Sequence, residues 1–148
     1  MYKTVLLCYD GSAEGRKALR EGAALARLMG SETYLLAICR NLVAATPPEG
    51  MGSALVESEE SVARAILSEG VCKLVEFGVK AQGALLIGDP LVHIPSFARK
   101  IGADLIVIGH RPQGRLARWW SESPQPLLLD RASCSILVAM NAEDRPIG

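Results

Sequence analysis

Two hydrophobic rhythms alternate along this chain. Short, nearly unbroken apolar runs at 4–9, 33–39, 79–87, 104–109 and 136–140 are separated by longer stretches where apolar residues recur every three or four positions. Runs of that length, rich in Val, Ile and Leu, predict strands covered on both faces, as in a parallel sheet. The stretch 13–29 predicts a helix with Ala18, Leu19, Ala23, Ala26 and Leu28 facing inward and Arg16, Lys17, Arg20, Glu21 and Arg27 facing water. Before it, Asp10-Gly11-Ser12 forms a turn that offers a helix cap, and after it Gly30 suits a left-handed C-terminal cap.

A second and longest helix is predicted over 53–77, with Leu55, Val62, Ile66, Leu67, Val71 and Leu74 in phase and Gly78 closing it. Its Glu57, Glu59, Glu60 and Glu69 read as a solvated face. Asp89-Pro90 is a helix start, a capping side chain followed by proline at the first helical position. Pro95 removes a backbone donor and is expected to bend or delay that helix. Residues 41–52, with Pro47, Pro48, Gly50 and Gly52, have the composition of a loop. Five strands alternating with helices predict one α/β domain over 1–148, an open five-stranded parallel sheet with helices on both faces.

Composition narrows the function. Sixteen basic and sixteen acidic side chains cancel, which gives no reason to expect a nucleic-acid surface. The apolar runs are far shorter than a bilayer span, and Met1-Tyr2-Lys3 leads directly into the first strand, so a cytoplasmic protein without membrane or export segment is expected. Cys8, Cys39, Cys72 and Cys134 form no C-x-x-C pair, and His93 and His110 are the only histidines. Cys8, Cys39 and Cys134 lie in or beside strands and read as small buried hydrophobes, with no metal site. No nucleophile elbow, P-loop or dinucleotide fingerprint is present, so none of those enzyme classes is indicated, and enzyme activity stays open.

Candidate chemistry gathers where strands end. In an open α/β sheet, ligands meet the carboxyl ends of the strands, here Asp10 after the first and Gly109 after the fourth. Asp10 faces the ligand crevice and equally suits turn chemistry; both roles stay open. Gly109 would let a ligand approach the backbone closely. The following segment carries His110, Arg111, Arg115 and Arg118, then Trp119-Trp120. The arginines could grip phosphate, or simply form a solvated basic loop. The paired rings offer surfaces that could stack on a base or meet a partner.

The chain resembles the universal stress protein family over nearly its whole length. The resemblance is carried by Thr4-Val-Leu-Leu-Cys-Tyr-Asp10-Gly11-Ser12, Gly88-Asp89-Pro90, Ala103-Asp104-Leu105-Ile106-Val107-Ile108-Gly109 and Ser133-Cys-Ser-Ile-Leu-Val-Ala139. It implies a Rossmann-like fold of the adenine nucleotide α-hydrolase-like group. It also implies adenine-nucleotide contacts at Asp10, Gly11, Ile38, Ile108, Gly109, His110, Arg111, Arg115 and Ser123. The family's nucleotide loop reads G-x-x-G, nine residues, then G-[S/T]; this chain places Gly109, Pro112, Glu122 and Ser123 at those points. Pro112 has no N–H to offer phosphate. Glu122 sets a carboxylate against it, a repulsion of about 4 kcal/mol at 4 Å and intermediate dielectric.

Weak or lost nucleotide binding is therefore the expectation, with no certain cofactor. The alternatives are ATP or AMP held by Arg111 and Arg115, with Mg²⁺ accompanying a triphosphate, or a slow ATPase. The closing strand Ser135, Ile136, Leu137, Val138, Ala139 and Met140 is apolar and expected at a sheet edge, where it would pair with a second copy to form a homodimer. A further protein partner is expected but not identified by any motif.

Overall fold

The computed structural model describes residues 1–39, 52–109 and 128–140. Their elements run β1 (Thr4–Tyr9), α1 (Ala13–Met29), β2 (Glu32–Cys39), α2 (Gly52–Glu76), β3 (Ala81–Ile87), α3 (Pro90–Ile101), β4 (Leu105–Gly109), α4 (Leu128–Arg131) and β5 (Ser135–Ala139). All pairings are parallel and the spatial order is β3-β2-β1-β4-β5. The expected five-stranded Rossmann-like sheet is present. Strand order reverses between β1 and β4, which makes that junction the topological switch point.

Side-chain alternation explains why both faces are covered. Val5, Leu7, Tyr9, Leu35, Leu105 and Val107 pack with Ala18, Leu19 and Ala23 of α1 and Leu74 of α2. Leu6, Cys8, Leu36, Ile38, Leu86, Ile106 and Ile108 pack on the other face with Ile94 and Ala98 of α3 and Leu128 of α4. Each fully buried leucine or isoleucine stabilises the fold by about 2 kcal/mol through apolar burial.

The predicted elements recur with boundary corrections that have local causes. α1 coincides with 13–29, and Gly30 adopts the left-handed cap at φ 65°. Val79, expected to open the third strand, instead donates its N–H to Leu74 O at 2.8 Å and closes α2, so β3 starts at Ala81. Asp104 precedes β4: its carboxylate accepts from Lys3 N at 2.8 Å and Thr4 N at 2.9 Å, tying the start of β1. β2 starts one residue earlier than expected, α2 runs one residue earlier at both ends, and β5 spans Ser135–Ala139.

Two residues placed on inner faces are exposed: Leu28 at 85% and Val62 at 51%. At about 100° per residue, Leu28 falls far from the α1 stripe of Gly15, Ala18, Leu19, Gly22, Ala23 and Ala26, and Val62 lies beside the α2 stripe led by Ala63. Ile66, Leu67 and Val71 are partly buried against the core. The side chains of Leu55, Glu57 and Glu59 lie outside the described set, as do residues 41–51 of the loop expected over 41–52, whose last residue, Gly52, instead opens α2. Pro95 does not delay α3. The helix begins at Pro90, capped by Asp89 accepting from Leu91 N at 3.0 Å, and takes Pro95 into its buried side.

Candidate functional site

The carboxyl ends of β1 and β4 meet over the first turn of α1. Ser12 caps that helix, accepting from Gly15 N at 3.0 Å. Asp10 holds Ser12 in turn: its Oδ1 accepts from Ser12 N at 3.0 Å and from the Ser12 hydroxyl. Gly11, at φ 83°, makes the turn possible. One Asp10 oxygen is thus committed to local structure, while Oδ2 makes no hydrogen bond among the described residues. Both readings of Asp10 survive, one on each oxygen.

Gly109 needs its missing Cβ for a different reason than ligand approach. A Cβ there would stand 2.5 Å from the Glu14 carbonyl oxygen and 3.1 Å from Gly15 N. The space is filled by the backbone of α1. Gly15 is equally tight, because a Cβ on it would meet Asp10 Oδ1 at 2.8 Å and the Tyr9 ring at 3.0 Å. Two glycines, one per element, let the helix start sit directly on the strand ends.

The sequence-derived site residues therefore divide. Asp10, Gly11 and Gly109 come together around the start of α1. Ile38 and Ile108 are buried in the core cluster on the α3 face, where they are packing residues first. His110, Arg111, Arg115 and Ser123 lie outside the described residues, as do Pro112, Trp119, Trp120 and Glu122.

One cluster had no signal in the sequence. Arg16 Nε donates to Glu69 Oε1 at 3.1 Å across 53 residues, joining α1 to α2. Glu69, expected on a solvated face, thus serves as an interhelical tie. The Tyr9 hydroxyl is buried next to this pair without a hydrogen bond of normal geometry. Burial first, then the Glu69 carboxylate, holds the phenol above its ordinary pKa.

The thiols differ sharply in setting. Burial, followed by the charges of Asp10 and Cys134, pushes the Cys8 thiol far up, so it is an inert core group. Cys134 is partly buried and also raised, by burial first and by Asp104 second. Cys72 is exposed. The Cys39 side chain is outside the described set. Among the described residues no three His, Cys, Asp or Glu side chains gather as a metal site, and no helix is long and apolar enough to cross a membrane.

Comparison with known proteins agrees with this architecture. The profile of the Universal stress protein family matches residues 1–139. A universal stress protein of Methanocaldococcus jannaschii is 27% identical over 139 residues, which is 93% of this chain and 82% of that protein. Among solved structures, one from the universal stress protein family of Burkholderia pseudomallei superposes with a TM-score of 0.73 at 24% identity, covering 93% of this chain and 95% of that one. The universal stress protein from Archaeoglobus fulgidus in complex with dAMP gives 0.66 at 23% identity, covering 93% and 97%.

Proposed function

The chain belongs to the universal stress protein family, and from that premise we propose that it acts as a homodimeric regulatory module of the cytoplasm whose adenine-nucleotide affinity is weak. The observation that carries this reading is the state of β5. Among the described residues it is an outer strand paired only with β4, and Ile136, Leu137 and Val138 are each left incompletely covered while Met140 beyond them is 45% exposed. An apolar edge of this kind invites pairing, and a second copy of the strand lying antiparallel across a two-fold axis would satisfy its backbone and cover its side chains. Dimerisation then presents both partner surfaces in a fixed relation, which is what a regulatory contact requires. Light scattering at micromolar concentration is expected to give twice the chain mass; a monomer there would refute the module.

The weak-affinity half of the proposal rests on Pro112 and Glu122 at two glycine positions of the family's nucleotide loop. Calorimetric titration of nucleotide-stripped protein with ATP and AMP, with and without Mg²⁺, tests it. Glu122→Gly should tighten binding and Arg115→Ala should weaken it. A second reading, an ATP or AMP sensor gripping phosphate through Arg111 and Arg115, is favoured by two observations: Asp10 Oδ2 makes no hydrogen bond among the described residues at the switch point, and the Archaeoglobus fulgidus relative is a complex with dAMP. Tight binding in the titration would choose this reading over the first.

A further inference from the structure

The sheet has a second outer strand. Among the described residues β3 pairs with β2 alone, which leaves its other side without a strand neighbour at the edge opposite β5. Edge strands are ordinarily blunted by a charge, a proline or a bulge. β3 runs Ala-Gln-Gly-Ala-Leu-Leu-Ile, with no charged residue and no proline, and its register with β2 is unbroken from Ala81 to Ile87. Gln82 and Gly83 are exposed, and Ile87 is 40% exposed. The charges stand just outside the strand, Lys80 before it and Asp89 after it, both exposed.

Two properties make this edge complementary to its own reverse. The first is size: Ala81, Gly83 and Ala84 fill the first half, and Leu85, Leu86 and Ile87 fill the second. In an antiparallel pair related by a two-fold axis, opposed side chains point to the same side of the sheet, so residues of equal parity face each other. With Ala84 opposite Ala84, Gly83 meets Leu85 and Ala81 meets Ile87, small against large each time. The second property is charge. The same register sets Lys80 of one copy opposite Gly88 and beside Asp89 of the other, and the axis repeats that contact. The cap on α3 uses Asp89 Oδ1, so a lysine can approach through Oδ2. A parallel in-register pair would instead set like against like at every position, which is unfavourable for charges.

We propose that β3 is a second self-association surface, on which another copy of this chain docks with its own β3 antiparallel, centred on Ala84 and paired Lys80 to Asp89 at both ends. The contact is separate from β5 and would join β5-paired dimers edge to edge. It is the weaker of the two, because Ile87 is the strand's one large side chain in the exposed class. The pairing therefore sets in at roughly millimolar chain, where small association energies suffice.

Carbodiimide treatment condenses Lys80 Nζ with the Asp89 carboxyl into an amide only where the two touch. Within one chain the seven residues of β3 hold them more than about 20 Å apart. A link between them therefore joins two chains, and a mixture of light and heavy-isotope chains should give linked peptides carrying one label each. In sedimentation equilibrium the parent is expected to pass beyond dimer mass near roughly millimolar chain. Val138→Pro, with β5 pairing removed, is expected to pass from monomer to dimer and stop there. Lys80→Glu, at an exposed position, should weaken this step in either chain about tenfold, through two contacts turned repulsive. A Val138→Pro chain that stays monomeric at millimolar would overturn the proposal. So would cross-links that never join residue 80 to residue 89, or an unaltered association constant in Lys80→Glu. The β5 reading is judged separately, by the mass of the parent at micromolar concentration.

Discussion

The centre of the sheet and its β5 edge use the same residue types, yet only the centre is closed. In β4 every residue from Leu105 to Gly109 is buried, and β1 is buried from Val5 to Tyr9. In β5 the sequence Ser-Ile-Leu-Val-Ala is equally strand-like, but Ala139 alone is buried. Hydrophobicity is thus not what separates core strand from edge strand here. Neighbours are: β1 has strands on both sides and helices on both faces, while β5 has one strand neighbour and only partial cover. The same apolar pattern is a finished core in one place and an incompletely covered edge in the other.

The most damaging test of the closed centre is a single methyl group. Gly109→Ala would drive a Cβ against the Glu14 carbonyl, a backbone atom that cannot rotate away. The expected loss is about 2–3 kcal/mol, as for other overpacked sites, or roughly 6–9 °C in melting temperature for a domain this size. If thermal unfolding moves by less than a degree, the seam between α1 and β4 is softer than its geometry. At the open edge, Val138→Pro should leave the fold standing while turning the dimer into a monomer, because proline removes a ladder donor where only the partner strand needs it. Size-exclusion chromatography with light scattering separates those two effects.

The thiols sharpen the contrast on a finer scale. Alkylation should reach Cys72 first and Cys134 later, and Cys8 on the central strand only through unfolding, on the order of a hundredfold or more slower than Cys72. Mass spectrometry of timed alkylation gives the order directly, and early labelling of Cys8 would contradict the closed centre. The smallest expected effect is at the other end of the central pair. Backbone N–H groups of Thr4 and Lys3 hold the Asp104 carboxyl below its ordinary range. That contribution is complete above the unfolded carboxylate pKa, near pH 4, and is lost as pH falls through the lower folded value. Asp104→Asn should therefore lower the denaturation midpoint at neutral pH, with the gap from the parent protein closing in acid.

Much of this architecture was legible because periodicity is a local property. The α1 boundaries follow from a cap, a stripe and a glycine, all within twenty residues. The errors arose where a residue served something distant. Asp104 looked like strand because its duty lies with Lys3 and Thr4; Glu69 does lie on a solvated face as expected, but its pairing with Arg16 was invisible because Arg16 is on another helix. Gly109 was recognised as a place of close approach, but a missing Cβ does not say what fills the gap; here it is the α1 backbone. For the candidate site, Asp10, Gly11 and Gly109 gather at the start of α1, and their role toward a ligand rests on the sequence alone. His110, Arg111, Arg115 and Ser123 fall outside the described residues, and their roles rest on the sequence alone.

The Asp104 tie to the chain start also orders events in time. It seals the β1–β4 pairing between residues 100 apart, whereas β1–β2 joins Thr4 to Glu32 and β4–β5 joins Leu105 to Ser135. Closing the longer loop costs about 1 kcal/mol more chain entropy than either short one. The two wings of the sheet are therefore the natural early units of folding, and their meeting at the centre is the late, slow event. The expected outcome is that the switch point forms last, which pulse-labelled amide exchange during refolding checks as late protection of those β1 and β4 amides that bond one another, after the amides joining β1 to β2 and β4 to β5.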